Sequence, residues 1–121
     1  MNNGIAYKPR KEKPVIENTI ETYLKSQVEL CGGMCEKWIA GRDGVPDRIV
    51  VLNGNTVFIE LKRPGDKPRE LQVSVINRLK NAGAEVYVID TKAKVDSLIK
   101  KLNRKGNQNE THRKKSKRHN I

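Results

Sequence analysis

Three residues in the middle of the chain have types and spacing suited to chemistry: Asp47, Glu60 and Lys62. They flank Asn53-Gly54, a dipeptide that tolerates positive φ at both positions and so signals a two-residue hairpin turn. On either side lie the β-rich runs Arg48 to Leu52 (RIVVL) and Thr56 to Leu61 (TVFIEL). A two-residue turn sets Leu52 opposite Asn55, and every facing pair then has numbers that sum to 107. Asp47 and Glu60 are such a pair, so their Cβ atoms are expected ~5 Å apart on one face of the sheet. Lys62 lies two residues beyond Glu60 and points to the same face. Carboxylates held that close repel each other unless a cation sits between them. With an ammonium alongside, they make a site for a hard divalent ion. A solvent-facing ion-pair ladder is the competing reading. The neighbours Ile49, Val51 and Phe58 weigh against it, because these strands are apolar on both faces.

Two more polar residues stand where apolar ones are expected. On a helical wheel, Ile20, Leu24, Val28 and Cys31 lie within about 60° of Glu17, whereas Glu21 lies another ~40° towards solvent. Glu17 is therefore expected at the edge of the buried stripe. Gln72 falls among Leu71, Val75, Ile76 and Leu79 on the apolar face of a later helix. A buried carboxylate and a buried amide both need partners, which a metal-centred site supplies. A purely backbone-bonded role suits Gln72 as well.

The elements that must position these groups follow from periodicity. Val15, Ile16, Ile20, Tyr23, Leu24, Val28, Leu30 and Cys31 recur at helical spacing and stop at Gly32-Gly33. Met34 to Ile39 is a short strand, followed by the polar loop 41–46 and the hairpin. Pro68 suits the first turn of a helix whose apolar face is Leu71, Val75, Ile76, Leu79 and Ala82, ending at Gly83. Glu85 to Ile89 is a strand. Asp90 or Thr91 can cap a last helix carrying Val95, Leu98, Ile99 and Leu102. The order α-β-β-β-α-β-α predicts an α/β fold, a mixed β-sheet flanked by helices, with no internal repeat.

Composition bounds the rest. The 121 residues suffice for one domain, and with aromatics at 4% the core must be built from Ile, Val and Leu. Lys and Arg number 25 against 14 acids, a net charge of +11, which favours polyanionic partners, nucleic acid above all. Residues 103–121 hold seven of those cations against one Glu and read as a basic flexible tail. Lys8, Arg10, Lys11 and Lys13 give residues 1–14 the character of a basic N-terminal arm, leaving 15–102 as the folded domain. No apolar run approaches the ~18 residues of a membrane span, and no secretory signal opens the chain. An intracellular, cytoplasmic protein of a bacterium or a phage-infected cell is expected. There Cys31 and Cys35 stay reduced, and their spacing makes a poor half of a zinc site with His112 and His119.

Gly44-Val45-Pro46-Asp47, then Phe58-Ile59-Glu60-Leu61-Lys62, then Gln72, in this order, resemble the VRR-Nuc domain of the PD-(D/E)XK nuclease superfamily. The resemblance runs from about Val15 to Ile99, taking in Glu17 and the Gly83…Val86-Tyr87-Val88-Ile89-Asp90 segment. It implies a restriction-endonuclease-like core, Mg²⁺ or Mn²⁺ dependence, and hydrolysis of phosphodiester bonds to 5′-phosphate and 3′-hydroxyl ends. By that resemblance Asp47, Glu60 and the carbonyl of Leu61 ligate metal and Glu17 completes the acidic cluster, directly or through water. Lys62 orients or activates the nucleophilic water, and Gln72 supports it. The basic tail lies outside the family pattern.

The expected activity is a structure-selective DNA endonuclease acting on branched DNA, with the four-way junction as preferred substrate. A nicking or flap nuclease is the alternative within the class, and a catalytically silent DNA-binding protein the alternative outside it. Paired cuts in a junction suit a homodimer with two sites. Val15, Tyr23 and Leu30 on the first helix offer a broad apolar arc for that contact, or else pack under the N-terminal segment or the last helix.

Overall fold

The computed structural model describes residues 17–105, with side chains from Thr19 onward. The N-terminal arm, Val15, the side chain of Glu17, His112, His119 and most of the basic tail lie outside the described residues. Helix α1 spans Glu17–Leu30, and strands β1, β2 and β3 span Met34–Lys37, Arg48–Leu52 and Asn55–Leu61. Helix α2 is Glu70–Asn81 and strand β4 is Val86–Ile89. A last helix, α3, runs over residues 92–105, so residues 103–105 of the expected tail continue it. The strands form one sheet in the order β1-β2-β3-β4, antiparallel except for β4, which runs parallel to β3.

The hairpin forms as its dipeptide dictates. Asn53 and Gly54 both have positive φ, +53° and +82°, the signature of the type I′ turn. Leu52 therefore faces Asn55 and Arg48 faces Ile59, in the expected register. Helix α1 ends in a Schellman motif, with the N–H of Gly33 donating to the Val28 carbonyl and that of Gly32 to Glu29. Gly33 is also a steric necessity. A Cβ there would lie 2.5 Å from the main-chain oxygen of Val51.

Strand alternation splits the molecule into two unequal layers. Cys35, Val50, Leu52, Val57, Ile59, Leu61 and Ile89 face α1 and α3, and with Ile20, Leu24, Val28, Val95, Leu98, Ile99 and Leu102 they form the aliphatic core. The opposite face carries Ile49, Phe58, Glu60 and Val86, and α2 lays Val75 and Ile76 on part of it. That cover is incomplete. Met34 is 58% exposed and Val51 42%, so this face is not closed by apolar cover as the strands alone suggest. The same economy puts Leu71 in solvent, although the helical pattern placed it on the apolar face of α2. Pro68 stands just before the cap of α2 instead of in its first turn, and Arg69 takes the cap position. Thr91 caps α3, its Oγ1 accepting the Lys94 N–H at 3.1 Å.

Candidate active site

The site is built where β2 begins and β3 ends. Asp47 stands one step before the last pair of the ladder, Arg48 with Ile59, and so comes opposite Glu60. The loop from Trp38 to Asp47 is closed at its base, the Trp38 N–H donating to the Asp47 carbonyl at 2.9 Å. Within it Gly44 has φ +89°, and a Cβ there would lie 2.9 Å from the Leu71 side chain, so the loop is pressed onto α2. Pro46 is buried ahead of Asp47. The Asp47 carboxylate is thereby delivered to the edge of β3, where Oδ2 accepts the Leu61 N–H at 2.8 Å.

Glu60, 1% exposed, points to the α2 face, where Gln72 and Lys62 are among its partners. Gln72 Nε2 donates to its Oε2 at 2.7 Å, and Lys62 Nζ lies 3.1 Å from the same oxygen. Gln72 Oε1 accepts in turn from Lys62 Nζ at 2.8 Å and from the Arg69 N–H at 2.9 Å. Gln72 thus caps α2 through the backbone and ties Glu60 to Lys62. A solvent-facing ladder is excluded by the burial of Glu60. The mutual repulsion expected of Asp47 and Glu60 is answered within the protein, by Lys62 for one and the Leu61 N–H for the other.

Burial pushes the Asp47 carboxyl above its ordinary value, and the negative charge of Glu21 adds to the effect. The Leu61 N–H, Lys62 and Arg48 oppose it. Glu21 is the residue that sequence reasoning missed. Instead of pointing to solvent it lines a cleft with Asp47, and its Oε2 accepts from Arg48 Nε at 2.7 Å. Arg48 is 8% exposed and spends Nη1 on the Cys35 carbonyl at 3.2 Å. The signal was present in β2: Arg48 shares the core face with Val50 and Leu52, and a cation there demands a carboxylate from the facing helix. Whether Glu17 joins the cluster is a matter of a side chain outside the described residues.

Among the described residues, no three His, Cys, Asp or Glu side chains gather as a metal-binding group. The oxygen donors at hand are the carboxylates of Asp47 and Glu60 and the main chain at Leu61. Such a sparse, all-oxygen set fits Mg²⁺, which takes one or two carboxylates and completes its octahedron with water and phosphate oxygens. It does not fit zinc. Cys31 and Cys35 are free thiols, one exposed and one buried in the core.

Known proteins share this chain's sequence pattern and fold. The family profile of the VRR-NUC domain matches residues 11–93. Over 77 residues the chain is 44% identical to "Putative nuclease p44" of Acyrthosiphon pisum secondary endosymbiont phage 1, spanning 62% of this chain and 83% of that protein. A solved VRR_NUC domain superposes with a TM-score of 0.65 at 34% identity, covering 69% of this chain and 94% of the other. The matched profile spans Asp47, Glu60, Lys62 and Gln72, and the chain belongs to the VRR-NUC family of nuclease domains.

Proposed function

We propose that the protein is a Mg²⁺- or Mn²⁺-dependent DNA endonuclease of the PD-(D/E)XK type, selective for branched DNA, with the four-way junction as preferred substrate. The observation that carries this reading is the buried Glu60–Lys62–Gln72 network set against Asp47 at one end of the sheet. A buried carboxylate tied to an ammonium through a helix-capping amide is a costly arrangement for stability alone. It is well suited to holding charged groups in fixed directions.

Asp47 and Glu60, with the Leu61 carbonyl, would hold the ion. When bound, the ion supplies an acidified water and neutralises charge on the attacked phosphate. The protein supplies the rest. An ammonium has three donors, and those of Lys62 that meet Glu60 and Gln72 fix its direction. The remaining one can meet the attacking water or a phosphate oxygen, stabilising charge that grows during the displacement. Asp47, raised by burial, is deprotonated more readily once a cation is beside it. Glu21 borders the same cleft and adds negative potential that draws the cation in. The overall charge of +11 brings the polyanion to the surface.

Incubating the full chain with labelled junction, flap, nicked, single-stranded and fully paired DNA, with and without Mg²⁺, tests the reading. Mg²⁺-dependent scission, strongest on the junction, is expected. DNA binding without scission in any metal would convert the protein into a silent binder. A two-fold dimer is part of the proposal, because one acidic cluster per chain must serve two strands. Tyr23 is half-buried against the core and bonds Asp96 of α3 at 2.6 Å, so within the expected arc Leu30, 79% exposed, is left for the contact. Light scattering should give twice 13.8 kDa.

A further inference from the structure

The cleft that holds Asp47 and Glu21 is far larger than one water molecule, and its polar lining is shared by apolar side chains. Its volume is about 270 Å³, against the ~10–15 Å³ that one water needs. The two acids share it with Lys37, Trp38, Ile39 and Pro46. Trp38 is half-buried, its ring centroid 5.0 Å from that of Phe58 with the planes tilted by 40°. Ile39, its neighbour, is 88% exposed, the most exposed large apolar residue described. A lone exposed aliphatic side chain is ordinary on a protein surface, and it is the place of Ile39 in the lining of this cleft, beside Trp38 and a candidate catalytic carboxylate, that suits it to meet an apolar group.

Its support is rigid. The Trp38 N–H is bonded to the Asp47 carbonyl, and Gly44 is seated on Leu71 and Val75 of α2. Trp38, Ala40 and Val45 face Val75 and Leu79 of α2 across a second cavity, so the loop rests on α2 chiefly at Gly44. Ile39 is thus an apolar projection on a braced lip, beside the carboxylate that would hold the ion. In DNA the apolar groups are the base faces, normally hidden by stacking. An aliphatic wedge can part a base step at a cost of a few kcal/mol, least where the base is already unpaired. An aromatic wall then offers the displaced base a stacking partner, and a lysine offers its phosphate a counter-charge.

From these features we infer that Ile39 is a wedge and that the cleft against Trp38 receives an unstacked nucleotide next to the scissile phosphate. The inference rests on the nuclease reading and sharpens it. The substrate class becomes DNA with an unpaired or weakly stacked nucleotide at the incision point, and continuous duplex is disfavoured. Lys37 meets the phosphate of the displaced nucleotide, and Asp47 lines the same cleft, so the bond to be cut must sit on its side.

The test uses the full chain and branched DNA with 2-aminopurine beside the branch, in EDTA, while fluorescence anisotropy of the same DNA reports binding. Binding by the natural protein should raise the 2-aminopurine emission. Ile39→Ala, which removes an exposed side chain and leaves the fold intact, should lose most of that rise at saturating protein. Ile39→Leu should restore it. In Mg²⁺, Ile39→Ala should also narrow the preference for branched over fully paired DNA. Bound DNA with no rise, or an equal rise with Ile39→Ala, would overturn the wedge. Cleavage of the same DNA without a rise overturns the wedge alone, whereas a rise without cleavage upholds Ile39 as an unstacking wedge and overturns the nuclease reading together with the scissile phosphate. Absence of both overturns both.

Discussion

Two buried ion pairs flank Asp47 on opposite faces of the same sheet end, and they are built to different purposes. On the α1 face Arg48 joins Glu21 at 2.7 Å and adds the Cys35 carbonyl. Its planar guanidinium ties helix to strand, and both partners belong to the protein. On the α2 face Lys62 joins Glu60 at 3.1 Å and Gln72 at 2.8 Å, with a point charge whose remaining donor can turn to a ligand. One pair closes a structure, and the other leaves a valence for chemistry. Asp47 lies between them and feels both, Lys62 and Arg48 each stabilising its charged form.

The strongest way to break the comparison is to remove charge from the α2 side. Asp47→Asn, Glu60→Gln and Lys62→Met should each lower cleavage by at least ~10²-fold, the scale on which one fixed electrostatic contact acts. Their stabilities should part company. Asn at 47 keeps an acceptor for the Leu61 N–H and loses a charge that burial disfavours, so the metal-free protein should melt no lower. Gln at 60 strips Lys62 of its carboxylate and should cost roughly 1–3 kcal/mol. Cleavage assays beside thermal unfolding in EDTA check both halves. Mg²⁺ should raise the melting temperature of the natural protein but not of Asp47→Asn.

Gln72→Leu comes next. It removes the acceptor shared by Lys62 and the Arg69 N–H, and a residue that acts by orienting others usually costs about 10–100-fold. An unchanged kcat would reduce Gln72 to a helix cap. On the α1 side the order reverses. Arg48→Met should lower the melting temperature more than it lowers cleavage per folded molecule, because it unties α1 from β2. Glu21→Gln should also reduce cleavage, since Glu21 lines the cleft with Asp47. Cleavage by Glu21→Gln equal to that of the natural protein would take Glu21 out of the site.

How much of this was legible in the chain depended on which physical rule governed each residue. The pairing of Asp47 with Glu60 could be read because a two-residue turn and a side-chain period of two leave the register no freedom. The aliphatic face of α3 was legible for the same kind of reason, all four of Val95, Leu98, Ile99 and Leu102 being buried. The orientation of Glu21 was not, because a wheel drawn from apolar residues is blind to the pull of Arg48 on the facing strand. Nor was the exposure of Val51 and Leu71. How far α2 reaches across the sheet depends on where the loop from Trp38 to Asp47 pins it, which is a tertiary fact.

The smallest effect sharpens the comparison by sign. Asp47 and Glu85 are acids of one sheet with opposite shifts. Burial raises the first, whereas the hydrogen bond from Lys105, with a further one from the Tyr87 hydroxyl, lowers the second below its ordinary 4.5. A carboxyl raised in the folded state is bound more firmly by its proton there, so stability falls as pH climbs through its folded value. A carboxyl lowered in the folded state gives stability that is present above its unfolded value and lost as pH drops through the folded one. In metal-free buffer, Asp47→Asn should therefore remove a decline of stability with rising pH from about 4 upward. Glu85→Gln should remove a rise over roughly pH 3 to 5. The Glu85 side chain is 42% exposed, so its part at pH 7 should stay below ~1 kcal/mol and shrink with salt. Melting temperatures of the two variants across pH 3 to 7 decide the matter: slopes of the same sign would mean that Asp47 is better solvated than its place between the two ion pairs allows.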